Sequence, residues 1–372
     1  MLNNVHGLLF STNRTYDLEA LTQPRCMSSV PFGGRFRLID FMLSNMVNAG
    51  ISDVVVPLQS RYQSLLDHLG SGKAWDLARH TGGMRLLPLY SLPHRSEHDE
   101  ARGQMEVLSR IKPYLHGIRQ DYVLLADGDI VINFSLEELY QRHIDSGADV
   151  TLACTDRYTG DPTASLYFDV DEAGNITDVI GRPMKHTGKQ FLNIFLLSRD
   201  LLIELTEYCL THGLYSLRDE LIPYLHNRYK LVPYVFNGFS TRCTSVASYY
   251  ETSMELLDPA VQKELFSLDT PIRTKEQNEA PTYYAPGSVA HNSVIGGGSI
   301  IEGEVENSII FQNVTIEKGA KVNNCILFKG THVQAGAELN HVITDKYVTI
   351  SPNTTLSGAA TQPYVIKKNS TV

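Results

Sequence analysis

The sequence contains few cysteines, and they are scattered along the chain. Among 372 residues there is no C-x-x-C pair, and the cysteines are Cys26, Cys154, Cys209, Cys243 and Cys325. Without closely spaced cysteines we expect neither a structural zinc site nor a disulfide framework. Isolated cysteines are typical of a reducing compartment, so the composition predicts a cytoplasmic protein.

The chain also lacks long apolar runs and an excess of positive charge. No stretch approaches the roughly 18 apolar residues that a membrane span needs. The short apolar run at residues 5–10 has no basic leader before it, so no signal peptide is expected. The net charge of −9 argues against broad nucleic-acid binding, which needs a basic face. We therefore expect neither a membrane nor a nucleic acid as a partner.

A repeat is present near the C-terminus. Successive units begin 17 residues apart and carry Gly or Asn midway between two aliphatic residues, in the pairs Ile316 with Val322, Val333 with Leu339 and Ile350 with Leu356. A six-residue step fits one side of a triangular coil, and Gly or Asn tolerates the left-handed backbone of its corners. The repeat predicts a left-handed parallel β-helix over residues 287–372, with 293–303 as an earlier coil. A β-sandwich with regular turns is the weaker alternative.

Residues 1–267 alternate strand and helix patterns. Buried strands are predicted at 5–10, 51–57, 122–126 and 148–154, and helices at 37–49 and 136–145. This alternation predicts an α/β, Rossmann-like domain with a mostly parallel sheet and helices on both faces. Residues 268–286 contain three prolines and mixed charge, which predicts a linker to the β-helix.

An acidic turn, Asp127-Gly128-Asp129, follows one of the predicted strands. In parallel sheets, ligands bind at the carboxyl ends of the strands. A carboxylate there can hold Mg²⁺ beside nucleotide phosphates. Asp-Gly-Asp is also a favourable turn sequence in its own right, and spacing alone does not decide between the two interpretations.

Several blocks of the chain resemble the glucose-1-phosphate adenylyltransferase (ADP-glucose pyrophosphorylase) family. The matching segments are residues 21–25, 30–45, 124–129, 146–154 and 249–257. The resemblance covers nearly the whole chain and implies a nucleotidyltransferase domain followed by a β-helix. In an intact member, the sugar phosphate oxygen attacks the α-phosphate of ATP, Mg²⁺ bridges the phosphates, and pyrophosphate leaves.

The chain departs from the family where the chemistry is expected. The glycine-rich phosphate loop aligns with residues 12–18, which contain no glycine, and its arginine aligns with Asp17. The phosphate-facing lysine aligns with Met27, the glutamate of the sugar-contacting E-K-P with Gly181, and the second metal-binding acid with Arg242. Removing one charge-stabilising group typically costs about 10²–10³-fold in rate. We therefore expect no intact catalytic set.

The resemblance leaves a reduced set of ligand positions. It implies vestigial nucleotide contacts at Arg14, Arg25, Gln104, Asp127 and Asp129, and vestigial sugar-phosphate contacts at Arg182 and Asn193. Asp129 is the one possible metal ligand that remains, with its second carboxylate partner missing. No cofactor is certain, and Mg²⁺ is expected only if some activity remains.

Within the family, this pattern resembles the GlgD-type glycogen biosynthesis proteins, a second chain beside the catalytic enzyme. The resemblance implies a non-catalytic or weakly catalytic regulatory subunit that joins the catalytic subunit in a hetero-tetramer. A nucleotide or sugar-phosphate effector is a further possible partner. Two alternatives stay open. One is an active adenylyltransferase with a rearranged site, and the other is a β-helix acyltransferase using His291, His332 or His341.

Overall fold

The computed structural model describes residues 1–11, 18–89, 101–160, 162–172 and 174–372. The strands of the N-terminal domain are β1 (Val5–Phe10), β2 (Pro31–Phe32), β3 (Phe36–Arg37), β4 (Asp53–Leu58), β5 (Gly83–Pro88), β6 (Tyr122–Asp127), β7 (Ile130–Ile132), β8 (Val150–Thr155), β9 (Leu166–Val170), β10 (Ile176–Gly181), β11 (Lys189–Ser198), β12 (Leu231–Phe236) and β13 (Ser240–Arg242). Its α-helices are α1 (Leu38–Asn48), α2 (Gln63–Leu69), α3 (Gln104–Arg110), α4 (Lys112–His116), α5 (Leu136–Ser146), α6 (Arg199–His212), α7 (Ile222–His226), α8 (Val246–Glu255) and α9 (Pro259–Leu265).

The central sheet has a parallel half and an antiparallel half. Strand β1 pairs in parallel with β4 and β6, and β4 pairs in parallel with β5. Strand β11 then runs antiparallel to β6, β8 and β9, while β8 and β12 pair in parallel. Every residue of β1 is buried, which is the pattern of a strand covered on both faces. The predicted α/β sheet is confirmed, with β11 as an antiparallel insertion.

Helices cover both faces of this sheet, as the alternating pattern predicted. Apolar residues of α1, α2 and α5 pack on one face, and those of α3, α4, α6 and α7 pack on the other. Helix α5 begins at the N-cap Ser135, whose hydroxyl accepts a hydrogen bond from the Glu138 N–H, and ends at Gly147 with a φ of +58°. These two residues set the bounds of the helix, because a hydroxyl N-cap and a left-handed glycine are the usual helix start and stop.

The C-terminal domain is a stack of short parallel strands. They are β14 (Tyr283–Tyr284), β15 (Val289–His291), β16 (Val294–Ile295), β17 (Ile300–Ile301), β18 (Glu304–Glu306), β19 (Ile309–Ile310), β20 (Thr315–Ile316), β21 (Lys321–Asn323), β22 (Ile326–Leu327), β23 (His332–Val333), β24 (Glu338–Asn340), β25 (Val342–Thr344), β26 (Thr349–Ile350), β27 (Thr355–Ser357) and β28 (Tyr364–Ile366). Every third strand belongs to the same sheet, which gives three sheets of five strands among the described residues.

The 17-residue repeat corresponds to this stack. Ile316 lies beside Val333, and Val333 lies beside Ile350, in the first sheet. The corner residues Gly336 and Asn353 have φ values of +71° and +56°. The predicted β-helix is therefore confirmed, and it already begins at β14, inside the segment that the sequence predicts as a linker.

The two domains share a hydrophobic cluster. Phe328 of the β-helix packs edge-on against Tyr249 of α8, with ring centroids 6.4 Å apart. The same cluster contains Phe32 and Phe41 from the N-terminal domain and Ile343 from the β-helix. The hydroxyl of Tyr250 donates a hydrogen bond of 2.7 Å to the carbonyl of Asn324. Buried aromatic packing of this kind holds the β-helix against α8.

None of the helices in the described part of the chain has the length and apolar character needed to cross a membrane.

Candidate functional site

Several residues predicted from the sequence meet at the carboxyl end of β6. Asp127 is the last residue of β6, and Asn193 lies in the neighbouring strand β11. Gln104 begins α3, and Arg242 ends β13, where it lies opposite Ile130 of β7. The β7–β13 pair therefore carries Arg242 back over the Asp127–Asp129 turn. The structure gathers side chains that are more than 100 residues apart in the chain.

Asp127 contacts each of the other side chains in this cluster, namely Gln104, Asn193 and Arg242. Its carboxylate accepts hydrogen bonds from Asn193 Nδ2 at 2.8 Å and from Gln104 Nε2 at 3.4 Å. Asn193 has a φ of +54° in the middle of β11, and the pairing of β11 with β8 shifts between Phe191 and Phe195. A left-handed residue inside a buried strand is uncommon and costs energy. Here it coincides with the irregularity that places the Asn193 amide on Asp127.

Arg242 forms ion pairs with both acids of the turn. Its Nη2 atom lies 3.0 Å from Asp127 Oδ2 and 3.3 Å from Asp129 Oδ1. Both carboxylates are buried, with side chains 3% and 2% exposed. Two buried carboxylates this close need a compensating cation. In this chain an arginine side chain supplies that cation.

The environment of Asp129 favours its protonated form. Burial, opposed by Arg242 and reinforced by the neighbouring Asp127, raises the pKa of Asp129 to about 6. Neither carboxylate oxygen of Asp129 accepts a hydrogen bond, although Oδ1 contacts Arg242. Burial removes the water that would stabilise the charged carboxylate, and this is the main physical cause of the raised pKa.

This arrangement does not fit a Mg²⁺ ion. A divalent cation bound to Asp129 would lie beside the Arg242 guanidinium, and the two positive charges would repel each other. Mg²⁺ also demands a nearly octahedral shell of oxygen atoms, whereas arginine offers only N–H donors. Within the described residues there is no group of three or more His, Cys, Asp or Glu side chains that could hold a metal.

Among the cavities lined by described residues, the one next to Arg242 is small. A cavity of about 20 Å³ is lined by residues that include Ile130, Ser165, Gln190, Asn193 and Arg242. A cavity of this size holds about one water molecule, whereas sites for small-molecule ligands typically measure about 300–1,000 Å³. A sugar phosphate therefore does not fit into this cavity as it stands.

A second charged group, which was not predicted from the sequence, contacts a residue that lines the same cavity. Arg218 is buried, donates to the carbonyl of Ala164 at 2.5 Å, and binds Asp219 through two hydrogen bonds of 2.9 and 3.1 Å. Ala164 lines the cavity. Burial alone would raise the pKa of Asp219, but the hydrogen bonds from Arg218 and Arg182 lower it below its ordinary value. The adjacent Arg-Asp pair in an apolar segment was the available sequence signal.

The other predicted residues lie elsewhere. Arg182, in a left-handed conformation with a φ of +53°, is exposed and pairs with Asp219 at 2.9 Å. Gly181 ends β10 and is exposed. Met27 is buried in the cluster between the domains. Arg14 and Asp17 lie outside the described residues, so the structure does not place them.

Arg25 points to the β-helix and not to Asp127. Its Nη2 atom lies 2.7 and 3.0 Å from the two carboxylate oxygens of Asp345, and Nη1 donates to the carbonyl of Leu21 at 3.0 Å. Arg25 and Asp345 are 2% and 0% exposed. For Arg25 to contact a nucleotide, this buried pair would first have to break.

The three histidines of the acyltransferase alternative do not come together. His291 and His332 belong to strands of different sheets. His332 Nε2 is 2.6 Å from a carboxylate oxygen of Glu317, and His341 Nδ1 is 2.8 Å from the Tyr250 hydroxyl at the domain junction. His291 is exposed and lies 3.8 Å from Glu306. Each histidine therefore has a separate local environment.

Comparisons with known proteins agree with this architecture. The family described as nucleotidyl transferase matches residues 16–252, and the GlmU-like C-terminal hexapeptide family matches residues 283–362. The chain is 35% identical to the glycogen biosynthesis protein GlgD of Bacillus subtilis (strain 168) over 320 residues, covering 86% of this chain and 83% of the relative. GlgD of Geobacillus stearothermophilus is also 35% identical, over 87% of this chain and 84% of the relative.

A catalytic relative is slightly more distant. The glucose-1-phosphate adenylyltransferase of Thermotoga neapolitana is 31% identical over 329 residues, covering 86% of this chain and 77% of the relative. The chain therefore belongs to the nucleotidyl transferase family and, within it, to the group formed by the GlgD glycogen biosynthesis proteins and the glucose-1-phosphate adenylyltransferases. The family resemblance inferred from the sequence is confirmed.

Proposed function

We propose that this chain is a non-catalytic or weakly catalytic regulatory subunit of glucose-1-phosphate adenylyltransferase. It would modulate the synthesis of ADP-glucose from ATP and glucose-1-phosphate for glycogen biosynthesis. The names of the GlgD and adenylyltransferase relatives support the glycogen role. The proposal that the subunit is non-catalytic or weakly catalytic rests on the placement of Arg242 between Asp127 and Asp129.

The chemistry of adenylyl transfer explains why that placement matters. The triphosphate carries several negative charges, which a metal ion held by carboxylates normally neutralises. Here both carboxylates already pair with the guanidinium of Arg242, and the carboxylates are the groups that would have to hold the metal ion. Met27, which is buried in the cluster between the domains, supplies no charge. Each lost stabilising group is worth about 10²–10³-fold in rate.

A regulatory role requires a path from this domain to a partner. The buried Arg25–Asp345 pair and the shared aromatic cluster join the N-terminal domain to the β-helix. Because both partners of that pair are buried, the two domains are expected to respond together when either one contacts another subunit. We propose the catalytic subunit as the partner, in a hetero-tetramer, with a nucleotide or sugar phosphate as a possible effector.

Co-expression with a catalytic homologue tests the proposal. The mass of the purified complex and the rate of ADP-glucose formation per catalytic chain are measured, with ATP, glucose-1-phosphate and Mg²⁺ present. We expect a stable mixed complex whose rate or effector response differs from that of the catalytic chain alone. We expect the isolated chain to be at least about 10²-fold slower than the catalytic chain.

Two outcomes would contradict it. Turnover by the isolated chain at a rate close to that of the catalytic chain would favour an active enzyme with a rearranged site. If no complex forms and the catalytic rate is unchanged, the subunit role fails. An Arg242→Lys variant, which keeps the positive charge, is the matched control in both assays, because it should form the same complex without gaining activity.

A further inference from the structure

A large groove runs between the N-terminal domain and the last coil of the β-helix. We call it the junction groove. It has a volume of about 840 Å³, within the usual range for ligand sites. On one side lie the segment around Glu19 and the start of α8, and on the other lie residues of β27, β28 and the turn between them. The groove lies on the β-helix side of the molecule and shares no lining residue with the Arg242 cavity.

A second depression continues the junction groove along the β-helix. It measures about 530 Å³ and follows the outer surface of the sheet that contains β18, β21, β24 and β27. Ser357 lines both depressions. The neighbouring coils contribute Asn323, Asn340 and Thr355. Since adjacent strands are about 4.8 Å apart, the combined groove offers evenly spaced polar groups along its length.

The lining of the junction groove mixes polar and small apolar residues, the second depression is mainly polar, and both are nearly uncharged. Apart from Tyr364, the hydroxyl and amide side chains of the junction groove are Gln23, Ser245, Ser357, Thr361 and Gln362. Its charged residues are Glu19 and Lys367, and in the second depression Lys321 pairs with Glu338 at 3.2 Å beside Glu306. The formal charges sum to −1, which disfavours phosphorylated ligands, because those are held by clusters of Arg and Lys. Hydroxyls and amides both donate and accept, which suits a polyhydroxylated ligand.

The junction groove also contains an exposed aromatic side chain on a fixed backbone. Tyr364 is 47% exposed, while its N–H donates to the carbonyl of His341 at 2.9 Å. The preceding turn is closed by two hydrogen bonds between Ala359 and Gln362, of 3.1 and 3.0 Å. A rigid tyrosine offers an apolar ring with a polar end at a low cost in conformational entropy.

We propose that the junction groove and its extension bind a neutral oligosaccharide chain, and specifically an α-glucan. The Tyr364 ring packs against the apolar face of one sugar ring, and the amides and hydroxyls bond to the sugar hydroxyls. The remaining sugar units of the oligosaccharide lie along the evenly spaced polar side chains of the second depression. The choice of an α-glucan over other neutral oligosaccharides rests on the proposed role in glycogen biosynthesis. Binding itself requires no catalytic partner.

Calorimetric titration of the purified full-length chain with maltoheptaose tests this proposal. We expect saturable binding that weakens at least about tenfold in Tyr364→Ala, which corresponds to about 1.4 kcal/mol. The matched control is Tyr347→Ala. Tyr347 is 53% exposed on the same β-helix but does not line either depression. Retardation of the chain in gels that contain glycogen gives a second measurement. Melting curves of both variants verify that they are folded.

The outcomes are separable. The absence of maltoheptaose binding, or equal loss of binding in Tyr364→Ala and Tyr347→Ala, overturns the proposal. Competition by inorganic phosphate also overturns it, because it would identify an anion site. Equal affinity for cellohexaose overturns the choice of an α-glucan. The assay uses the chain alone, so its result is independent of whether the mixed complex forms or changes the rate of ADP-glucose synthesis.

Discussion

Arg242 is the residue on which the interpretation of the site depends. The sequence predicts that it occupies the position of a family acid, and its side chain pairs with both Asp127 and Asp129. Removing one partner of a buried ion pair leaves the other charge uncompensated, which typically costs about 3–5 kcal/mol. Exposed pairs contribute much less, about 0–1 kcal/mol. The difference allows a test by mutation.

We predict that Arg242→Ala lowers the free energy of unfolding by about 3 kcal/mol at pH 7.5. The loss should be smaller at pH 5, where Asp129 takes up a proton. The measurement is urea unfolding at both pH values. Arg182→Ala is the matched control, because Arg182 also pairs with an aspartate but its side chain is 65% exposed. A loss for Arg182→Ala as large as that for Arg242→Ala would contradict this account.

The raised pKa of Asp129 predicts a second effect at the same residue. A carboxyl group whose pKa is about 6 in the folded chain, against an ordinary 3.8, binds more protons when folded. Its contribution to stability therefore falls as the pH rises from about 4 to about 6. We expect Asp129→Asn, which cannot ionise, to be more stable than the wild type at pH 7.5 by roughly 3 kcal/mol. An advantage that is equal at pH 4.5 and pH 7.5 would refute the pKa shift.

A third test at the residue scale concerns metal binding. In Arg242→Asp the repulsive guanidinium is gone and a carboxylate replaces it beside Asp127 and Asp129. Carboxylate oxygens are the ligands that Mg²⁺ and Mn²⁺ prefer. We expect Mn²⁺ to raise the melting temperature of Arg242→Asp and to leave that of the wild type unchanged. Equal stabilisation of both proteins by Mn²⁺ would show that Arg242 does not block the site.

The sequence patterns predicted some strands of the fold better than others. Strand β1 has the predicted bounds, because an uninterrupted buried run is a strong strand pattern. In the β-helix, inward and outward residues alternate on strands of two or three residues, so the 17-residue period located them. The irregularity in β11 that positions Asn193 has no counterpart in the sequence pattern. It depends on the pairing of β11 with both β6 and β8.

The same alternation in the β-helix gives a prediction for one strand. In β23, Val333 points into the stack and is fully buried, while His332 points outward beside Glu317. Val333→Ala should lower the free energy of unfolding by about 2 kcal/mol, because it leaves a cavity in the stack. His332→Ala, at the adjacent position, should change it by less than about 1 kcal/mol. Thermal unfolding of both variants measures the difference, and equal losses would contradict the assignment of faces.

At the scale of the whole molecule, the Arg25–Asp345 pair links the two domains. Asp345→Leu leaves the buried guanidinium of Arg25 without a partner. We expect this to lower the free energy of unfolding by about 3–5 kcal/mol. The double variant Arg25→Met with Asp345→Leu should recover most of that loss, since no charge is then left unpaired. Urea unfolding of the two single variants and the double variant provides the measurement. Additive losses in the double variant would mean that the pair does not act as a unit.

The sequence by itself determined the β-helix and predicted the loss of the catalytic residue types. Both are local properties: a period of 17 residues, and a side chain such as Met27 or Arg242 at an aligned position. Only the tertiary structure decided where those side chains went. It placed Arg242 on Asp127, turned Arg25 toward Asp345, and formed the junction groove. Such contacts join residues far apart in sequence, so they depend on how strands and domains pack and not on any local pattern.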